Sequence, residues 1–182
     1  MKATGIVRRV DELGRIVIPK EVRKVLRMKE GTPIEIFMGD EGEVVLKKYS
    51  QLNELRDFSK EAVESIFAAL EHPTLLCDKD EVLHSAGVNK SEYINKPISY
   101  EIEKIIAERK ATLSNKKQDA TTYKILKDDV NDYASQVIIP INSSGDTLGA
   151  IILFTKDSSV TFTQQEVKAA SVIANFLAKQ VE

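Results

Sequence analysis

Arg8, Arg9, Arg15, Arg23 and Lys24 all fall within the twenty residues GIVRRVDELGRIVIPKEVRK, Gly5 to Lys24. Arginine presents a planar fork of donors that matches phosphate oxygens and base edges, and lysine adds a compact charge. A surface that grasps DNA needs such side chains set among short β-branched runs and tight turns. A solvated basic surface that only maintains solubility has the same composition, so residue types alone leave both readings open.

The distribution of charge is more informative than its total. The chain has 182 residues and a formal net charge of −2. Residues 1–29 hold nine Lys/Arg against three Asp/Glu, whereas residues 50–182 hold fifteen against twenty. Net positive charge is concentrated at one end of an otherwise acidic chain, the footprint of a nucleic-acid contact kept to one surface.

Other chemistry is sparse. His72 and His84 are the only histidines, and neither has a Cys or second His at metal-ligand spacing. They read as turn or surface residues. Asp128, Asp129 and Asp132 lack the alternating oxygen ligands and downstream Glu of a calcium loop, and a solvated turn is expected. Cys77, in the run LLC, has no partner for an intramolecular disulfide and reads as a small buried hydrophobe in a reducing compartment. With no phosphate cradle and no defensible Ser/His/Asp set, the chain reads as a non-enzyme with no cofactor and no metal. No apolar run reaches bilayer length and no signal-peptide core is seen, so a cytoplasmic protein without membrane contact is expected.

The elements that must position the basic residues are short. Gly5–Val10 and Gly14–Ile18 read as strands joined by Asp11-Glu12-Leu13-Gly14. Pro19 suits the first turn of a helix with Val22, Val25 and Leu26 on one face, ended by Gly31. A second hairpin follows, Ile34–Met38 and Glu43–Tyr49, turned by Gly39-Asp40-Glu41-Gly42. A unit of about 49 residues without disulfide or metal buries too little surface to fold alone, so dimerisation is expected.

The pattern Gly5-Ile6-Val7-Arg8, Asp11, Gly14-Arg15-Ile16-Val17-Ile18-Pro19 and Glu21-Val22-Arg23, continued by EIF at 35–37 and LKKY at 46–49, resembles the AbrB-like swapped-hairpin family of bacterial DNA-binding transition-state regulators. The whole length is similar to regulators acting late in spore formation. The resemblance implies two chains exchanging hairpins into one interleaved β-barrel that binds double-stranded DNA. It also implies that Arg8, Arg15 and Arg23 are contacts, with Arg9 and Lys24 beside them. Lys24 stands where the family often has a second Arg, which changes its fork to a point charge. The function implied is activation and repression of forespore-stage genes.

Residues 51–71 read as a connecting helix, with Leu55, Phe58, Ala62, Ile66 and Ala69 along one face. Beyond it, 72–182 alternates strands and helices: Thr74–Cys77, Val82–Ser85 and Tyr123–Leu126 as strands, Ser99–Arg109 as a helix, Ala134–Ile141 and Leu148–Phe154 as a hairpin. Thr163 and Glu166 fit a capping box. Val167, Ala170, Ala174, Leu177 and Val181 form a packing seam against the 51–70 helix of the same or a neighbouring chain. The class is α+β, and the mixed antiparallel sheet with Gly149-Ala150-Ile151-Ile152 resembles a GAF domain, which implies small-molecule sensing. The Asn-Lys and Phe-x-x-x-Asp-Glu pattern of cyclic-nucleotide binders is lacking, so the effector is left unidentified.

Three domains are therefore expected: 1–50 for DNA binding, 51–71 connecting, and 72–182 for sensing and assembly into a homotetramer. An antitoxin that neutralises a partner toxin is the alternative, since such proteins also carry swapped hairpins. Their tails are short and disordered, whereas 72–182 is patterned like a folded domain.

Overall fold

Ile34–Met38 (β1) and Val44–Lys48 (β2) pair antiparallel in the computed structural model, which describes residues 5–181. Their turn closes through Gly39 N to Glu43 O at 2.8 Å, with Gly42 at φ 83°. Pro19 caps the short helix α1, Lys20–Val25, as expected of a residue with fixed φ and no N–H. That helix stops well before Gly31, because Arg27 already adopts φ 53°.

The expected strands at 5–10 and 14–18 carry no ladder; the segment is extended chain around a turn at 12–14. A strand is defined by a hydrogen-bonded ladder, and the backbone bonds that close the turn, Asp11 N to Arg15 O and Gly14 N to Asp11 O, do not extend into one. The chain divides into two units between Tyr49 and Ser50.

In the C-terminal unit the expected single helix is two pieces, α2 at Gln51–Glu54 and α3 at Arg56–Leu70, broken at Leu55 (φ −83°, ψ 31°). The break lets Leu52 bury completely while Ser59 Oγ donates to Leu52 O at 3.0 Å. Further strands and α-helices follow. They are β3 (Thr74–Asp78), β4 (Val82–Ala86), α4 (Lys90–Tyr93), α5 (Tyr100–Glu108), β5 (Thr112–Asn115), β6 (Ser135–Ser143) and β7 (Asp146–Thr155), before the terminal helix α6 (Gln164–Gln180), with a short 3-10 turn at Lys116–Gln118 after β5. The sheet order is β4-β3-β7-β6-β5, antiparallel throughout.

One sheet face, with Leu76, Val137, Ile139, Ile151 and Leu153, packs against Ala62, Val63 and Ile66 of α3 and Ala170, Ala174 and Leu177 of α6. The other, with Leu75, Cys77, Ile138, Ala150, Ile152 and Phe154, is covered by Tyr93, Ile102, Ile105 and Ile106. The seam expected on the last helix is thus spent inside its own chain, and Leu177 is wholly buried there. The capping box forms, with Thr163 N donating to Glu166 Oε2 and Gln165 N to Thr163 Oγ1.

One expected strand fails in this unit, and one observed strand had no expectation. Residues 123–126 make only an isolated bridge, Ile98 to Leu126, because Ile125 and Leu126 direct their N–H groups to Asp129. Strand β5 was not legible: Thr-Leu-Ser-Asn lacks the β-branched density of its neighbours and is held by pairing with β6.

Candidate nucleic-acid interface

The turn at Asp11 is built by a single carboxylate. Asp11 Oδ1 accepts from the backbone N–H of Leu13 (3.0 Å) and Arg15 (2.8 Å), and Oδ2 accepts from Arg15 Nε at 2.9 Å. Asp11 N donates to Arg15 O at 2.9 Å and Gly14 N to Asp11 O at 3.0 Å. Gly14 takes φ 75°, where a Cβ would be strained. The Arg15 backbone N–H holds the Asp11 carboxyl below its ordinary range, helped by the guanidinium and the Leu13 N–H. The charged form that positions Arg15 is therefore the form present at neutral pH.

The remaining basic side chains are placed more loosely. Arg8, Arg9, Arg23 and Lys24 are all exposed. Arg8 donates to Val7 O at 3.0 Å, and Arg23 and Lys24 occupy the last turn of α1. Arg9, Arg23 and Lys24 have no ion-pair partner among the described residues. Arg23 also lines a groove of about 410 Å³ with Val17, Ile18, Met28 and Ile34. The structure thus joins Arg15 to Asp11 and places Arg23 along the same groove as Val17 and Ile18. Arg8, Arg9 and Lys24 are not tied to that set by any described side-chain contact.

Around these cations lies apolar surface that a single chain leaves open. Val7 is 83% exposed, Val17 73% and Val25 81%, with Val10, Leu13, Ile16, Ile36 and Met38 also exposed. Met28 is the buried apolar residue among those described in this unit. Full burial of side chains of this kind contributes about 1.5–3 kcal/mol each, and within this unit that contribution is left unused.

In the C-terminal unit, no group of His, Cys, Asp and Glu able to hold a metal occurs among the described residues. Burial pushes the Cys77 thiol up to about 12, which suits a packed hydrophobe and not a nucleophile. Asp129 departs from the expected solvated turn: it is 5% exposed. Its Oδ2 accepts from Tyr133 Oη (2.6 Å), Ile125 N (3.0 Å) and Leu126 N (3.3 Å), while Oδ1 accepts from Asn131 N and Nδ2.

The pattern described as "Stage V sporulation protein T C-terminal, transcription factor" matches residues 54–182. The Stage V sporulation protein T of Bacillus subtilis (strain 168) is 43% identical over 182 residues, all of this chain and 99% of that protein. The chain belongs to the stage V sporulation protein T family. Its N-terminal 49 matched residues are also 57% identical to the transition state regulatory protein AbrB of the same organism, covering 27% of this chain and 50% of AbrB. Residues 7–53 match the pattern "Antidote-toxin recognition MazE, bacterial antitoxin". Among solved structures, the GAF domain of an Acinetobacter phosphoenolpyruvate-protein phosphotransferase aligns at TM-score 0.53 and 13% identity, over 72% of this chain and 92% of that one. This member therefore joins an AbrB-like N-terminal domain to a transcription-factor region with the GAF fold, as its sequence implied.

Sequence reasoning placed Asp11 in a turn and in the family pattern and Asp129 in a solvated turn, without the hydrogen bonds that either carboxylate accepts. The available signals were Asp followed by Gly at i+3 and Arg at i+4 for the first, and an Asp-x-Asn spacing, as in Asx turns, for the second.

Proposed function

We propose that this chain is a DNA-binding transcriptional regulator of late, forespore-stage sporulation genes, working from the cytoplasm as a non-enzyme. The observation that carries the reading is the N-terminal unit itself, where exposed Arg8, Arg9, Arg15, Arg23 and Lys24 are interleaved with apolar side chains left open to solvent. Exchange of the 5–18 hairpin with a second chain would bury Val7, Ile16 and Val17, fill the groove beside Met28, and set two copies of the arginines on one two-fold face. Such a face suits a roughly symmetric or deformable A·T-rich site.

On this reading residues 1–50 bind DNA, 51–71 connect, and 72–182 assemble and sense. Tetramer formation would use what α3 and α6 leave outside: Phe58, Val172 and Phe176 are exposed, unlike Leu177. The domain would also respond to a small-molecule effector, which shifts DNA binding only if it prefers one arrangement of the protein over another. The antitoxin reading draws on the match at 7–53, but a folded region over 54–182 with two packed cores is unlike a disordered toxin-binding tail.

Electrophoretic mobility shift with promoter duplexes from forespore-expressed genes tests the proposal. Retardation by the wild type and its loss in Arg15→Ala, with circular dichroism unchanged, are expected. Wild-type and Arg15→Ala protein binding these duplexes alike would refute the assignment.

A further inference from the structure

We propose that Arg27, the residue at which the chain leaves α1, is a further DNA contact and meets a backbone phosphate next to those taken by Arg23 and Lys24. The inference rests on the DNA-binding role proposed above and adds a residue outside the set assigned from sequence.

Helix α1 closes in a Schellman turn. Met28 N donates to Arg23 O at 2.8 Å and Arg27 N to Lys24 O at 3.4 Å, the two bonds that define that motif. The residue between cap and exit must take the left-handed region, and Arg27 does so with φ 53°. Glycine usually fills this place, because a Cβ strains it. Glu71, Arg109 and Asp119 also hold helix ends in that region, so the conformation alone assigns no role to Arg27. Its consequence is where it sends the side chain.

The turn separates two neighbours. Met28 is 8% exposed and lines the groove with Val17, Ile18, Arg23 and Ile34. Arg27 is partly exposed and does not line that groove. Exchange of the 5–18 hairpin, which fills the groove against Met28, therefore leaves the Arg27 guanidinium outside the new core. That guanidinium has no hydrogen-bond or ion-pair partner among the described residues. The backbone bonds of the turn also keep it within one turn of Arg23 and Lys24. Over residues 20–30, five Lys/Arg stand against two Glu, so a ligand that approaches Arg23 and Lys24 meets Arg27 in the same basic segment.

A cation at a helix end can act on the helix itself, by bonding its last carbonyls or complementing its dipole. Here the Arg23 and Lys24 carbonyls already accept from the turn, and α1 is six residues long with Arg23 and Lys24 in its last turn. The five donors of Arg27 are thus left for an acceptor outside the chain. Duplex DNA presents phosphate oxygens at every step, and contacts of this class position a protein without reading sequence.

The test follows binding of the full-length protein to a labelled promoter duplex from a forespore-expressed gene by fluorescence anisotropy across salt. Arg27→Gly and Arg27→Asn both suit the left-handed backbone, so each removes the charge and keeps the turn. Both should bind about tenfold more weakly near 0.1 M salt, with a salt slope flatter by about 1.8 for one phosphate lost per chain of a dimer. The urea midpoint should not fall, and glycine should raise it by relieving the backbone. Stability and affinity then move in opposite directions, which a purely structural residue does not produce. Arg27→Lys keeps a point charge and should recover most of the affinity and slope. Wild-type affinity and slope in both neutral variants would overturn the proposal, as would weaker binding with an unchanged slope. A lowered urea midpoint in the neutral variants, with no recovery of binding in Arg27→Lys, would assign Arg27 to the turn alone. Failure of the wild type to bind the duplex would overturn the DNA-binding reading and this contact with it.

Discussion

Arg15 Nε lies 2.9 Å from Asp11 Oδ2, and the other oxygen of that carboxylate holds the backbone N–H of Arg15 itself. One acidic residue thus fixes both the main chain and the guanidinium of a proposed DNA contact. Counting charge alone, Asp11→Ala should raise DNA affinity, because it removes a negative group from the basic face. Positioning gives the opposite sign, since Arg15 would lose its orientation and ordering it on DNA would cost entropy. We expect affinity to fall about tenfold in a gel-shift titration, with helix content unchanged; a rise would show that Asp11 acts only through its charge.

Much of this was readable from sequence where a local signal coincides with the tertiary result. Thr163 and Glu166 announce the start of α6 because both partners of the capping box lie within four residues. The β6–β7 hairpin was readable because each strand carries a continuous apolar run, residues 137–141 and 148–154, and Ser144-Gly145 supplies two positive φ values. The strand at 112–115 was not, since its pairing is long-range. The basic residues of the candidate interface were legible by type and spacing, whereas their support by Asp11 depends on a hydrogen-bond geometry that composition does not encode. Likewise, Leu177 and Phe176 are adjacent on one helix, and periodicity alone cannot say which faces its own core.

That distinction between neighbours gives a second prediction. Leu177→Asp places a charge among Ala62, Ile66 and Leu153 in a packed core and should destabilise the C-terminal unit by about 3–5 kcal/mol or more. Phe176→Glu lies on the exposed side and should leave stability within about 0.5 kcal/mol while reducing the assembled mass. Light scattering combined with urea denaturation separates the two; unfolding by Phe176→Glu would reject the outward-face assembly.

Asp129 supports a prediction in pH. Burial opposes its ionisation, but hydrogen bonds from Tyr133, Asn131, Ile125 and Leu126 outweigh it and hold its pKa below the ordinary carboxylate value. A depressed folded pKa means that the stabilisation is full above the unfolded value, about 3.9, and is lost as pH falls through the folded one. Asp129→Asn should therefore lower the urea midpoint at pH 7 by an amount equivalent to about 2–3 kcal/mol. The difference from wild type should shrink below about pH 4. A constant difference across pH would assign the loss to shape and not charge.

Gly149 offers a test of the sheet itself. It pairs with Asp78 across β3 and β7, and a Cβ there would lie 2.0 Å from Cys77 O and 2.8 Å from Asp78 Cα. Both are backbone atoms of a central strand and cannot move aside cheaply, so Gly149→Ala should cost about 1–3 kcal/mol or more. Chemical denaturation should show a lower midpoint with an unchanged m-value; wild-type stability would mean that β3 and β7 separate there more easily than their pairing suggests.

The last prediction concerns salt, because phosphate contacts and positioning contacts differ in how they depend on it. Each neutralised phosphate steepens the fall of log Kobs with log salt by about 0.9. In a swapped dimer every substitution is made twice, so Arg8→Ala or Arg23→Ala should reduce the slope by about 1.8 if each arginine meets one phosphate per chain. Arg9 and Lys24 are equally exposed, and the same measurement sorts them into contacts and bystanders. Arg15 should behave differently if its fork reads a base edge: Arg15→Ala would then lose affinity at all salt concentrations with a nearly parallel slope. Fluorescence anisotropy with a labelled duplex from 50 to about 300 mM salt, a range over which such contacts change affinity by orders of magnitude, provides the slopes. An unaltered slope and affinity in Arg8→Ala and Arg23→Ala would exclude both residues from the phosphate contacts.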